Sequence, residues 1–325
     1  MIHIVIPESC SCRLPFFLAA EEWVARNLPE NEYFFAWRVK PTVICGRHQE
    51  IDKEVDLEYC KVHGIDVVRR RSGGGAVFAD MNNWMFSYIT PGDAITTTFE
   101  HYTSMMVEML RSMGFAAEAT GRNDILVNGS KVAGNAFYHL PGRCIVHGTM
   151  LLEIDTEHIS HAITPSRGKL ESKGVKSVAS RVTSLRACGL EMDVADFRQS
   201  VIGALCQDEY VLPGEALAEI RELEQRYYDP EFLFPKKQSG RTHHTRIDGV
   251  GTICIRKRTD SSNCLTELGI TGDFFADSEA LDNLKAHLLG TLLTPESIHK
   301  RLSQFKLSEA IPGLTTETLV ELLKN

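Results

Sequence analysis

Three consecutive glycines, Gly73–Gly75, separate a run that reads as a strand, Asp66–Arg70, from a second strand that follows them. That placement narrows the folds open to the chain. No Gly-Lys-Ser/Thr follows the run, so the loop is not a Walker A motif. A strand rather than a helix comes next, so it does not open a dinucleotide-binding βαβ unit. Glycines in such a loop let the backbone approach a ligand closely, and their N–H groups can form an anion-binding nest. The loop follows the densest basic cluster of the chain, Arg69–Arg71, from which Arg70 could hydrogen-bond a phosphate or carboxylate. A triple glycine alone is weak evidence, and a flexible turn with a solvated basic edge is the alternative reading.

Around the loop, short β-rich runs alternate with amphipathic helices. Ile2–Ile6, Glu32–Ala36 and Pro41–Cys45 read as strands, Phe16–Asn27 and Asp52–His63 as helices. The clearest helix is Thr96–Met113, where Phe99, Tyr102, Met106, Leu110 and Met113 share a face that Gly114 terminates. That stripe is core packing rather than a cofactor box. Asp124–Val127 and Lys131–Tyr138 read as a hairpin about Asn128-Gly129, and Ile145–Ile154 as the next strand. Helices follow near 193–207 and 215–226. Two prolines, a glycine and several basic residues in Tyr227–Thr245 predict a linker. Beyond it, strands at Thr252–Lys257 and Leu265–Ile270 and three short helices predict a second domain. The division is therefore 1–240 and 246–325.

The 325 residues are 43% hydrophobic and 24% charged, ordinary for a globular chain of about two domains. A formal net charge of -8 argues against a protein that coats nucleic acid. Nine cysteines lack the regular spacing of a disulfide framework, and the Cys10/Cys12 pair has no second pair to complete a zinc site. The N-terminus lacks a signal-peptide pattern, and no apolar run approaches the ~20 residues that span a bilayer. A soluble, cytoplasmic protein without nucleic-acid or membrane partners is expected.

Two further segments carry candidate chemistry. In Gly121–Ala136, Lys131 stands at a strand start, where a lysine is commonly only a solvated strand end. Its ammonium could instead neutralise charge between a carboxylate and an α-phosphate, since attraction at ~4 Å is worth about 4 kcal/mol at an effective dielectric of 20. Asp124 could hold Mg²⁺ or a ribose hydroxyl, or cap the turn. In HGTMLL, His147 precedes an apolar strand, where a histidine is more often a satisfied structural group than a catalyst. The adjacent His243-His244 pair falls in the expected linker and is the weaker candidate.

Together RRRSGGGAV, GRNDILVNGSKVAGNA and HGTMLL resemble the lipoate–protein ligase A family, in the family's order. LAAEE at Leu18–Glu22, CGRHQ at Cys45–Gln49 and KGVKSVASRVTSL at Lys173–Leu185 are similar to family segments as well. The last third, centred on Gly272-Asp273-Phe274-Phe275, looks like the family's accessory domain. The resemblance implies an α+β fold: a biotin/lipoate ligase-like catalytic domain with a small α+β C-terminal accessory domain.

It also implies an activity. Lipoate and ATP would form lipoyl-AMP, and a lysine of a carrier domain would then take the lipoyl group. The carriers implied are lipoyl domains of 2-oxoacid dehydrogenase E2 subunits or the glycine-cleavage H protein. By resemblance Lys131 is the catalytic residue, touching carboxylate and α-phosphate oxygens in both half-reactions. Ser72, Gly73, Gly74, Gly75, Val77 and Phe78 line the acyl-adenylate site with Arg70 nearby. Leu18, Trp37, Gly75 and Ala136 wall the acyl tunnel, and His147 borders it. Asn123 and Asp124 face the nucleotide, with Asp124 the Mg²⁺ candidate. The family commonly has His where this chain has Ala79, Gly for Asn82, and Asn for Phe17 and Glu50. The rival readings are a lipoyl or octanoyl transferase using a preactivated acyl donor, for which Cys144 would be the nearest cysteine, and a non-catalytic paralogue that binds lipoylated carriers.

Overall fold

The alternating apolar runs resolve into a mixed eight-stranded sheet in a computed structural model that describes residues 1–7, 12–92, 94–120, 123–164, 182–236 and 239–324. The strands of this sheet are β1 (Ile2–Val5), β2 (Tyr33–Trp37), β6 (Trp84–Pro91), β7 (Ala117–Ala119), β8 (Asp124–Val127), β9 (Ser130–Leu140), β10 (Arg143–Met150) and β11 (Asp208–Val211). Their spatial order is β11-β1-β2-β6-β10-β9-β8-β7. β1 runs parallel to β11 and β2, whereas β2, β6, β10, β9, β8 and β7 pair antiparallel. The β8–β9 turn has φ +52° at Asn128 and +76° at Gly129, the positive pair that a type I′ hairpin demands.

Helix α1 (Leu14–Asn27) lies on one face of this sheet, its apolar residues joining Tyr33, Phe35, Trp37 and Ile89 in one core. Two short helices, α2 (Ile51–Glu54) and α3 (Leu57–Val62), stand where one was expected over Asp52–His63. The extended Val55 and the Asp56 N-cap, which accepts from Tyr59 N–H, interrupt the helix there. On the opposite face, α4 (Ile95–Ser112) buries Phe99, Tyr102, Met106 and Leu110 against β8, β9 and β10, so the predicted stripe is core. A small second sheet, β4-β3-β5, is made by β3 (Thr42–Cys45), β4 (Asp66–Arg69) and β5 (Val77–Ala79). The glycine loop joins β4 to β5.

The composition break at Tyr227–Thr245 is more ordered than a linker. A 3-10 turn covers Gln225–Tyr228 and a short helix Pro230–Leu233, and Tyr227 is buried in the α1 core. Arg69 Nε and Nη2 donate to Leu233 O at 3.1 and 2.8 Å, which ties this stretch to the glycine-loop base. β12 (Arg241–Ile247) begins inside the expected linker and pairs with β13 (Gly251–Thr259), which pairs with β14 (Leu265–Gly272). Four helices rather than three complete this C-terminal part, Ser278–Leu288, Pro295–Leu302, Leu307–Ala310 and Thr316–Lys324, around its own apolar core. No helix among the described residues is long and apolar enough to cross a membrane.

The C-terminal part docks directly on the glycine loop. Gly74 N–H donates to Phe274 O at 2.9 Å and Gly272 N–H to His48 O at 2.8 Å. The His48 ring stacks on Phe274 and Phe275 stacks on Phe137. Arg256 reaches Glu50 at 3.1 Å, and His139 reaches Asp277 at 2.7 Å.

Candidate functional site

A pocket opens between the two sheets, and two antiparallel strands carry much of its wall. β10 pairs with β9 so that His147 faces Ala136, Gly148 faces Asn135 and Thr149 faces Gly134. Motifs that are separate in sequence therefore lie side by side. Leu18, Trp37, Ile44, Val77, Phe78 and Met85 make an apolar side, while Lys131, Asp124 and Asn123 supply polar groups. Of the other residues expected at the site, Arg70, Gly74, Gly75, Ala136 and His147 also line it. Ser72 and Gly73 stand behind the lining, Ser72 being 0% exposed. Arg246, Asp273 and Phe275 of the C-terminal part reach the same pocket; His243 and His244 do not.

The three arginines before the loop have three different jobs. Arg69 Nη1 donates to the carbonyls of Gly46, Arg47 and Gln49, and its other nitrogens hold Leu233 O. Arg70 donates from Nε to Ser72 Oγ, from Nη1 to Ile44 O, and from Nη2 to Gly73 O and Gly75 O. Arg71 pairs with Glu22 at 2.5 Å. Burial pushes Arg69 and Arg70 down to about 10, still protonated at neutral pH.

Arg70 thereby aims the loop. In a trans peptide C=O and N–H point in opposite directions. Holding Gly73 O toward Arg70 turns the Gly74 N–H away from it, where it meets Phe274 O. Gly74 has φ +92°, and a Cβ there would lie 3.1 Å from Arg70 Nη2, so only glycine suits the position.

Lys131 Nζ lies 2.7 Å from Asp124 Oδ1, and both side chains are mostly buried, at 15% and 3% exposed. The solvated strand end is thus excluded. Gly134 creates the berth, because a Cβ on it would stand 2.6 Å from Lys131 Nζ. Gly134→Ala is expected to fold, since the ammonium end can swing away, yet to lose about tenfold or more in turnover. Steady-state rates set beside the melting temperature check this.

His147 sits in a buried network, its Nδ1 3.0 Å from each Glu21 carboxylate oxygen and its Nε2 2.7 Å from Ser72 Oγ. Ser87 Oγ donates to Glu21 at 2.5 Å and accepts from Trp37 Nε1 at 2.7 Å, and Tyr138 OH donates to Glu21 at 3.3 Å. The chain runs unbroken from the pocket wall at Trp37 to the glycine loop.

The sequence profile of the lipoyl protein ligase A/B catalytic domain matches residues 15–206, and that of the bacterial lipoate protein ligase C-terminus matches 240–323. Lipoate–protein ligase 1 of Staphylococcus aureus is 32% identical, covering 94% of this chain and 95% of its own. The lipoate–protein ligase LplJ of Bacillus subtilis is 30% identical over the same shares. This chain belongs to the lipoate–protein ligase family. The fold agrees: P. falciparum LipL1, in complex with lipoate, superposes with a TM-score of 0.80 at 18% identity, covering 99% of this chain and 98% of its own. A bipartite lipoate–protein ligase of Thermoplasma acidophilum, studied with its E2 lipoyl domain, gives 0.64 at 24% identity over 73% and 98%.

Departures of this ligase from the common family pattern now have locations. Ala79 is wholly buried in the α1 core and does not line the pocket. Asn82 is in the turn after β5, its N–H bonded to Asp80 Oδ1. Phe17 stacks on Trp37 at 5.0 Å, backing the pocket wall. Glu50 takes Arg256 and Thr271 of the C-terminal part; burial opposes its charge, but bonds from Lys53 and Thr271 hold its carboxyl below the usual range. Residues 173–181, most of one family-like segment, lie outside the described residues, as do Cys10, Gly121 and Arg122. Cys144 is buried and donates to Gly92 O at 3.3 Å, so it is no nucleophile in this pocket.

Sequence reasoning missed Glu21, Ser87 and Tyr138. The one available signal was Glu21-Glu22, two adjacent carboxylates inside the apolar run of α1, both almost fully buried. Buried charges of that kind need partners.

His48, beside Phe274, is pushed down to about 3 by burial and then by Arg47, Lys285 and Arg69, opposed by Asp282. Its Nε2 has no hydrogen-bond partner among the described residues. A folded value below the unfolded one means stability is fully present above about pH 6.5 and is lost as pH falls toward 3. His48→Phe keeps the stack and is expected to melt with a shallower acid decline than the parent between pH 6.5 and 4. Parallel thermal melts across that range check it.

Proposed function

We propose that this chain is an ATP-dependent lipoate–protein ligase that forms lipoyl-AMP and passes the lipoyl group to a lysine of a carrier domain. One observation carries the reading: an apolar pocket whose polar residues include a buried Lys131–Asp124 pair and whose wall includes the glycine loop. Such a pocket suits a fatty carboxylate whose head must meet a phosphate. The family membership supports the same reaction.

A carboxylate is a poor acyl donor, so ATP converts it to a mixed anhydride with AMP as leaving group and pyrophosphate as product. Positioning and charge stabilisation then dominate catalysis. Lys131 Nζ neutralises the charge shared by the carboxylate and the α-phosphate. Leu18, Trp37 and Ala136 hold the acyl chain, and Asn123 lies toward the nucleotide. Mg²⁺ typically binds through one or two carboxylates plus substrate phosphates. Asp124, a buried carboxylate at the pocket, fits that donor set and is the residue that would hold it, with the ion screening phosphate charge. The division into a catalytic part, 1–240, and an accessory part, 246–325, belongs to this reading and is supported by a separate apolar core in each.

The acceptors proposed are lipoyl domains of 2-oxoacid dehydrogenase E2 subunits or the glycine-cleavage H protein. Mass spectrometry of each purified carrier after incubation with the chain, lipoate, ATP and Mg²⁺ tests this. Modification of the acceptor lysine that needs ATP supports the ligase. Modification only when lipoyl-AMP is supplied would make the protein a transferase.

A further inference from the structure

Ser72, His147 and Glu21 lie in the order of a nucleophile, base and orienting carboxylate, with links of 2.7 and 3.0 Å. The spacing alone would suit acyl transfer to serine. The surroundings do not. Ser72 is fully buried behind the pocket lining, and its oxygen already accepts from Arg70 Nε at 2.9 Å. An attacking oxygen must reach the carbonyl, and this one faces Arg70 and His147.

We propose that Glu21 is a positioning residue for the glycine loop, acting through His147 and Ser72. The direction of every bond in the network follows from what each atom can donate. Glu21 accepts from Ser87 Oγ, from Tyr138 OH and from His147 Nδ1–H. With its proton on Nδ1, His147 presents Nε2 as an acceptor, and Ser72 O–H donates to it. The Ser72 oxygen is then turned with its lone pairs available to Arg70 Nε–H. Arg70, fixed at Nε, grips Gly73 O and Gly75 O with Nη2. With Gly73 O held inward the Gly74 N–H is turned outward onto Phe274 O, and with Gly75 O held inward the Ala76 N–H is turned outward. Glu21 thus sets the donor face of the loop without itself lining the pocket.

The other end of the chain reaches the acyl wall, because Ser87 accepts from Trp37 Nε1. The same buried carboxylate therefore braces the wall for the acyl chain and the loop for the anionic head. A network buried in low dielectric is costly when one member is missing and specific when complete.

The test has a spectroscopic arm and a kinetic arm. Long-range ¹H–¹⁵N spectra of the ¹⁵N-histidine-labelled full chain, assigned with His147→Gln, report which ring nitrogen carries the proton. The expected result is Nδ1–H with Nε2 unprotonated. Glu21→Met removes both acceptor oxygens, whereas Glu21→Gln retains one for Nδ1–H. In lipoate-dependent pyrophosphate release, Glu21→Met is expected to lose about 10²-fold in kcat with lipoate KM changed less than about threefold, and Glu21→Gln to recover most of the loss. If Glu21→Met does not fold, Ser72→Ala carries this arm, with an expected fall in kcat of about tenfold. An Nε2–H or doubly protonated His147 overturns the proposal. So does unchanged kcat in the folded Glu21→Met variant, or in Ser72→Ala where that one does not fold. Covalent capture of Ser72 by an alkyl fluorophosphonate would make it a nucleophile and overturn the proposal too. The kinetic arm rests on the ligase reading; the spectrum does not, so its result stands even if the parent protein releases no pyrophosphate.

Discussion

Replacing Lys131 with alanine is expected to lower the rate of adenylate formation by at least about 10²–10³, the scale of removing one transition-state donor. The ammonium lies at the pocket beside Asp124, where it can meet charge shared between a carboxylate and an α-phosphate. Attraction of about 4 kcal/mol at ~4 Å and an effective dielectric of 20 is enough to account for such a loss. The pairing adds a second effect. A solvated strand-end lysine would change stability by no more than about 0.5 kcal/mol. Here the variant takes one partner from the buried Asp124, so a loss of about 1–3 kcal/mol is expected beside the catalytic effect. The double variant Lys131→Met with Asp124→Asn removes the uncompensated charge and is expected to regain stability but not turnover. Single-turnover rates and denaturant melts of the three proteins separate the two effects. Near wild-type turnover in folded Lys131→Ala would remove this lysine from the mechanism.

The largest expected loss of stability comes from Arg69, which lines no part of the pocket. Its guanidinium, 1% exposed as a residue, donates to the carbonyls of Gly46, Arg47, Gln49 and Leu233. Arg69→Met keeps the stem and removes every donor, leaving four carbonyls to find other partners. Each buried acceptor left unsatisfied costs about 1–3 kcal/mol, and relaxation toward water recovers part, so a net loss of about 3–5 kcal/mol is expected. In a domain of about 200 residues this is a fall of roughly 6–20 °C in melting temperature. The loop should suffer too, because an added Cβ at Gly46 would be only 2.0 Å from Gly74 O, so that backbone packs directly on the glycine run. A variant that melts within 2 °C of the parent would show that the four carbonyls do not depend on Arg69.

Periodicity and turn chemistry made much of the scaffold legible. α1, α4 and the Asn128-Gly129 hairpin lie where their spacing predicts, because each has a local cause: an apolar stripe, a terminating glycine, a pair of positive φ angles. Lys131, Asp124 and His147 were legible as motif residues, and the β9–β10 register explains why distant motifs meet. Partners were not legible. Glu21, Ser87 and His147 come from a helix and two strands far apart in the chain, and no local pattern announces which buried polar group will find which. The same holds for Arg70, which lines the pocket and also donates to Ser72, Gly73 and Gly75 of its own loop, partners that no local pattern announced. Tyr227–Thr245 has the composition of a linker, yet Tyr227 packs in the core and Leu233 O is held by Arg69; basic and proline-rich composition reports solvation, not the absence of long-range contacts. β11 escaped notice because all four of its residues are exposed and it lies at the sheet edge, where hydrogen bonds to β1 rather than burial define it.

As a ligase, the protein activates a fatty carboxylate with ATP in this pocket. Pyrophosphate release by the purified chain with ATP and Mg²⁺, measured with and without lipoate, tests it most directly. Release that depends on lipoate is expected, with lipoyl-AMP detected by mass spectrometry. No release, from a folded protein that still modifies a carrier when given preformed lipoyl-AMP, would contradict it.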